Sequence, residues 1–398
     1  MSEWAARCPI CHHAADDAVD VPAEEKIEPV SAVAPRVPTR RPRWRRHPGR
    51  LLLGSGAVAV ALLGTLVVVQ ASGTPTGGKL AGRILSWTAA GSMVSSTARG
   101  GGTEPVTMIP GTGLFLAPDG RFLASGTGQE LTLQGNTLAG TGRQVPFVGP
   151  PGSWRAVDFA DHDQALIATE EGLDGQTLVE VVSFKGQHTA SLGAAQDVAG
   201  DPRSLGVFAV AAGSGAPQVE WRDSGEPPIV LATAGDLLGD LHERPTATVA
   251  LSVLPDPQGE KLAVTVVPAG APAQPTGIVV LSRTGQLLGS TSAPRGTLGR
   301  PSWSPTGSSL VYSAPGARGP AIALWSIGGA PSIRDAPPGT PGAGTGFGDC
   351  IWAVGGTDFL CASSNNNLER TAWLIGGPGH APLSLVYGPA LPVAWIWD

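Results

Sequence analysis

Near the N-terminus, Cys8-Pro-Ile-Cys11-His12-His13 places two thiols and two imidazoles within one short segment. A CxxC turn aims two thiolates at a single metal ion, and structural zinc takes four ligands, usually from two such turns. No second pair follows in the tail, where the next candidate ligands after His13 are acids and His47. Three readings stand: a metal-free remnant, a zinc site completed by His12 or His13 or by a second chain, and a redox pair. The redox pair lacks the βαβ context such a motif normally needs. The other two cysteines bound the run CIWAVGGTDFLC, from Cys350 to Cys361. With Gly355-Gly356 as a two-residue turn, position 350 stands opposite 361. Opposed residues on antiparallel strands have Cα atoms about 4.5–5.5 Å apart, inside the disulfide range. In an oxidising compartment this predicts a Cys350–Cys361 bond, a local staple because its loop is short. The alternative is two free buried thiols.

Other chemistry is sparse. There is no GxSxG elbow, HExxH pair or P-loop. Beyond the tail the histidines are His162, His188, His242 and His380, none with a second His or Cys at ligand spacing. Asp161-His162-Asp163 reads as a solvated turn, with calcium or another metal as the alternative. Glu170-Glu171 reads as exposed charge, and Asn365-Asn366-Asn367 as a polar loop. No residue is assigned a catalytic role, and no cofactor is expected beyond zinc at Cys8, Cys11, His12 and His13.

These residues are positioned by an apolar run. Leu51 to Ala71 carries no charge over 21 residues, enough for a helix to cross a bilayer core of about 30 Å. Before it, Arg36, Arg40, Arg41, Arg43, Arg45, Arg46 and Arg50 come with no acid among them, which places the N-terminus on the cytoplasmic side. The Arg run attracts anionic lipid, so a nucleic-acid partner is not expected. Val69-Gln70-Ala71 is small at the positions a signal cleavage site needs, but the apolar span exceeds the usual length of about 7–15 residues. The segment is read as a retained anchor, with a cleaved signal as the alternative. Charge divides accordingly: residues 1–71 hold 9 basic and 7 acidic side chains, and the rest is net acidic. The expected organisation is a tail over 1–50 with the CxxC turn and an Arg-rich linker, a transmembrane helix over 51–71, a spacer over 72–78 and an outer domain over 79–398.

The outer domain is repetitive. The chain has 56 Gly and 37 Pro, which disfavours long helices and suits many turns. LFLAPDGRFLAS (114–125), LSVLPDPQGEKLAVTVV (251–267) and PSWSPTGSSLVYS (301–313) each run strand, turn, strand. Weaker copies lie at 158–169, 197–210 and 350–362. Turn residues Gly120, Asp163, Arg203, Gly259, Gly307 and Gly356 are spaced by 43, 40, 56, 48 and 49, the period of a four-stranded propeller blade. Trp303, Trp352 and Trp395 follow at 49 and 43, as equivalent positions would. The strand at Pro392-Val-Ala-Trp-Ile-Trp-Asp398 starts another unit and stops. Strands at 83–89, 92–98 and 104–110 would complete it, closing a ring.

The tail turn resembles the first knuckle of a zinc ribbon, from which it departs by lacking a second. The hairpins SWSPTGSSLVYS and LAPDGRFLAS resemble the TolB-type, WD-like propeller repeat, with Asp119 at the usual turn acid and Thr306 in its place in the other copy. The resemblance implies an all-β fold, a seven-bladed propeller (six or seven blades), behind one transmembrane helix; two consecutive β-sandwiches are the alternative. TolB-like propellers in some families precede a hydrolase domain; with no residues left after the ring to form one, a peptidase is not expected. The function expected is a noncatalytic binding or scaffolding module at a bacterial cell envelope, its partner a protein, peptide or glycan at the propeller face. The alternatives are a transmembrane sensor coupled to the CPICHH tail, and an enzyme with its site in the channel.

Overall fold

The computed structural model describes residues 82–396, apart from connecting segments 89–92, 99–101, 107–114, 117–121, 136–142, 147–153, 172–176, 184–187, 212–214, 244–248, 269–274, 294–297, 341–349, 365–370 and a few gaps of one or two residues. The expectations for Cys8, Cys11, His12, His13, the Arg run and the apolar run 51–71 lie outside the described residues. Among the described residues no helix is long and apolar enough to cross a membrane.

Strands β1 (Arg83–Trp87), β2 (Met93–Thr97) and β3 (Glu104–Pro105) come first. One continuous sheet follows: β4 (Phe115–Leu116), β5 (Phe122–Gly128), β6 (Glu130–Gly135), β7 (Arg143–Pro146), β8 (Trp154–Ala160), β9 (Ala165–Glu171), β10 (Thr177–Ser183), β11 (His188–Gly200), β12 (Val207–Ala211), β13 (Gln218–Arg222) and β14 (Ile229–Thr233). A short helix α1 (Ala234–Asp240) follows, begun by a capping box between Thr233 and Asp236. Three separate four-stranded sheets come next: β15 (Val249–Pro255) to β18 (Leu287–Ser292), β19 (Ser302–Trp303) to β22 (Ser332–Asp335), and β23 (Cys350–Trp352) to β26 (His380–Gly388). Within them lie β16 (Lys261–Pro268), β17 (Gly277–Ser282), β20 (Ser309–Gly316), β21 (Gly319–Ser326), β24 (Phe359–Ser364) and β25 (Thr371–Gly377).

Position in a sheet explains each strand's composition. Middle strands are covered on both faces and read as unbroken apolar runs, such as VFAVA in β12 and GIVVLS in β17, buried along almost their whole length. Fourth strands face solvent: β18 and β22 are mostly exposed or half-buried. Sheets pack face to face through shared cores. Phe208 and Val219 meet Val253, Leu262 and Val264, with α1 supplying Leu237 and Leu238. Ile278 and Val280 meet Leu310, Tyr312 and Trp325. Val311 and Ile322 meet Phe359 and Leu374, and Leu360 and Trp373 meet Ile84 and Trp395.

The last strand, β27 (Leu391–Ile396), pairs antiparallel with β1 in a sheet ordered β27-β1-β2-β3. The sheet built from both ends of the 79–398 domain is therefore present, with strands shorter than the sequence runs suggested. Two β-sandwiches are not what these sheets form.

β11 serves two partners. Its first part pairs with β10 and its last residues with β12. Gly193, at φ +78°, marks the turn in the strand, and the buried Arg222 Nη1 donates to the carbonyls on either side of it, Leu192 O at 3.1 Å and Ala194 O at 2.7 Å. Arg222 also pairs with the buried Glu220 at 3.0 Å.

Candidate functional site: the hairpin-loop face

Four of the hairpins that join an inner strand to its neighbour share one loop. In each, the residue just after the first strand donates N–H to the carbonyl five positions on and accepts from the N–H three on. These are Asp201 (to Gly206, from Ser204), Asp256 (to Lys261, from Gly259), Ser304 (to Ser309, from Gly307) and Ala353 (to Asp358, from Gly356). Four residues thus lie in each loop. Gly259 and Gly307 sit at φ +66° and +62°, the left-handed region where a side chain is strained.

Two sequence assignments are corrected. The Cys350–Cys361 hairpin is not a two-residue Gly355-Gly356 turn, because Ala353 and Asp358 still bond at 2.9 Å and four residues separate them. Its centre is unchanged, so Cys350 still faces Cys361, with Cα atoms 4.1 Å apart and the sulfurs bonded. The turn residue equivalent to Gly259 is Ser204, not Arg203, since Ser204 N is the group that bonds back to Asp201.

The side chain that holds the loop precedes a proline in three of these hairpins: Asp201-Pro202, Asp256-Pro257 and Ser304-Pro305. Asp256 Oδ1 accepts from Glu260 N at 2.7 Å and Lys261 N at 2.8 Å, and Lys261 Nζ reaches its Oδ2 at 3.2 Å. Ser304 Oγ accepts from Ser309 N at 3.1 Å. The fully buried Asp201 takes Arg203 N, Ser204 Oγ–H, Trp221 Nε1–H and two N–H groups of Arg283. Arg283 comes from the end of β17 in the next sheet. Its guanidinium lies 5.7 Å from the Phe208 ring centre and 5.6 Å from that of Trp221, and donates to Gly259 O at 3.0 Å. Burial alone would raise the Asp201 carboxyl; the hydrogen bonds, led by Arg283, outweigh it and hold it below the ordinary value.

Neighbouring loops touch in sequence, forming a belt. Asp161 N donates to Asp201 O and Ser204 O at 3.0 Å, and His162 N to Pro202 O at 2.7 Å. Arg203 pairs with Glu260 at 2.6 Å, and Gln258 Nε2 donates to Pro305 O at 2.9 Å. Asp161 and His162 hold φ of +50° and +51°, unusual without glycine, and present an outward imidazole that is 75% exposed. Asp163 lies outside the described residues. Among the described residues no group of three or more His, Cys, Asp or Glu could hold a metal. Glu170 lies near the end of β9, opposite Leu178, and His242 just after α1, while the side chains of Glu171, His188 and His380 and the Asn365–Asn367 segment are outside the described ones.

The inner strands are stitched by a second set of contacts. Trp303 Nε1 donates to Leu254 O and Trp352 Nε1 to Ser302 O, both at 2.9 Å, each reaching back one sheet. Trp395 sits beside Ala353 in a parallel bridge. Sequence reasoning found these indoles by spacing. It missed Arg283, whose only signal is a lone basic residue in a turn, and Asp201 and Asp256, whose signal is the repeated Asp-Pro.

No protein-family model matches the chain, and no curated protein matches it. Solved structures do. The Swd1 β-propeller domain of Myceliophthora thermophila is 14% identical, with 73% of this chain and 91% of that one covered, at a TM-score of 0.50. The periplasmic gluconolactonase PpgL of Pseudomonas aeruginosa is 14% identical, covering 79% and 98%, also at 0.50. TolB from Acinetobacter baumannii is 18% identical over 70% and 71%, at 0.42, too low to single out the TolB type. The first two likenesses agree with the sheet order: the described domain is an all-β propeller.

Proposed function

We propose that this chain is a noncatalytic binding or scaffolding module: a seven-bladed propeller of TolB type, held outside a bacterial plasma membrane by a helix over Leu51–Ala71. The blade count takes the closure sheet, the three separate sheets and three successive four-strand runs of the long sheet, with β11 shared. The Arg run and apolar span support the anchoring and orientation, and the Cys350–Cys361 bond suits an oxidising compartment.

The observation that carries the binding reading is the loop belt. Asp201, Asp256 and Arg283 are committed to fixing hairpins in register across consecutive sheets. A face ordered beforehand loses little entropy when a protein, peptide or glycan docks on it. Asp161, His162, Arg203 and Gln258 are the side chains it offers. On this reading the CPICHH tail is a separate cytoplasmic element, with Cys8, Cys11, His12 and His13 as its zinc ligands where metal is bound.

The test is site-directed photo-crosslinking of the full chain in native membranes. A crosslinking amino acid at His162 or Gln258 should capture an envelope component that one at Leu287, on the solvent-facing β18, does not. Equal capture from Leu287, or none from the loops while the ring stays folded, would remove this reading.

A further inference from the structure

Around the bore, the seams between inner strands are closed by two different chemistries. On one side the clips are indoles, Trp303 and Trp352, which do not titrate. On the other side they are carboxylates. Asp158 Oδ2 accepts from Gly200 N at 2.8 Å, joining β8 to the inner end of β11, while Oδ1 takes Phe159 N at 2.8 Å. Asp197 Oδ2 accepts from Val253 N at 2.8 Å, joining β11 to β15. The strands approach closely here: a Cβ at Gly200 would collide with the Phe159 carbonyl.

The charged groups that bear on Asp158 are Arg300, which favours its ionised form, and Asp197, which opposes it. Asp197 is on the adjoining inner strand. Arg300, which is exposed, leads into β19, in a different sheet with the β15–β18 sheet between.

We propose that Asp158 is a proton-operated clip between inner strands: ionised, it grips the Gly200 amide across the β8–β11 seam; protonated, it weakens that seam. Burial, the largest effect, pushes this carboxyl up to about 6, against the Phe159 and Gly200 N–H bonds and Arg300. The switch therefore falls within the pH range an envelope protein meets, whereas the indole seams stay unchanged. The geometry confines the response to one sector of the ring.

Hydrogen exchange read by mass spectrometry on the full chain in lipid nanodiscs, from about pH 5 to pH 8 and corrected for intrinsic exchange, tests this. Protection of the segment carrying Gly200 should fall on acidification with a midpoint near 6, while the Leu254 and Ser302 segments stay level. Asp158→Asn should abolish the transition. Arg300→Ala should move its midpoint up, since the ionised form loses a positive charge that favours it. Should Asp158→Asn fail to fold, Arg300→Ala, which removes an exposed side chain, carries the test alone. No transition in that window, a transition retained in Asp158→Asn, or an Arg300→Ala profile superimposable on the parent would overturn the proposal.

Discussion

Replacing Arg283 with alanine asks how much the loop belt depends on one guanidinium. Asp201 has no exposed surface, and two of its five hydrogen bonds come from Arg283, at 2.8 Å and 2.5 Å. Removing one partner from a buried pair costs about 3–5 kcal/mol, because the remaining carboxylate stays desolvated. Arg283 keeps 26% of its side-chain surface, so water can partly replace it and the lower end, about 3 kcal/mol, is expected. In a domain of this size that lowers Tm by roughly 6 °C. The assay is denaturant unfolding followed by tryptophan fluorescence, at neutral pH and again toward pH 4. The Asp201 carboxyl is held below its ordinary value of 3.8 in the folded parent. The stabilisation it brings is complete above that value and is lost as pH falls through the depressed one. In Arg283→Ala the burial remains without its main offset, the carboxyl rises, and the deficit against the parent shrinks on acidification. Adding Asp201→Asn removes the stranded charge, so the double variant should be more stable than Arg283→Ala alone. A loss under about 1 kcal/mol at neutral pH, or a deficit that does not change with pH, would refute this account.

Two further outcomes follow from the closure sheet and the staple. Deleting Pro392–Asp398 strips β27 from β1 and removes the buried Ala394 and Trp395, so calorimetry should show the whole ring losing its cooperative transition; an unchanged melt would mean the ring does not depend on this closure. Changing both Cys350 and Cys361 to serine should cost about 2–3 kcal/mol and leave the cooperative unfolding intact; a loss of folding altogether would show the bond to be more than a local staple.

Much of the fold was legible because it follows local rules. The apolar runs VFAVA and GIVVLS are the middle strands, since a strand covered on both faces has no reason to alternate. Trp303 and Trp352 were found by spacing because both answer the same need, an N–H reaching back to the preceding inner strand. The Cys350–Cys361 register survived an error in loop length because adding one residue on each side leaves the centre where it was. What escaped was long-range. Arg283 is 82 residues from Asp201, and no local pattern marks it as a partner. Asp158 reads like any acid near the end of a strand; its unusual environment exists only once Gly200, Asp197 and Arg300 are brought around it.

The order β27-β1-β2-β3 also sets a clock on the newborn chain. β1 leaves the ribosome early, yet its partner is the last described strand, about 300 residues later, so at 5–20 residues per second β1 waits roughly 15–60 s. Throughout that interval a row of main-chain donors and acceptors on β1 has no mate, beside the apolar side chains of Ile84 and Leu85. During synthesis that edge is a pairing site open to other strands, so the front of the domain is where mispairing would begin.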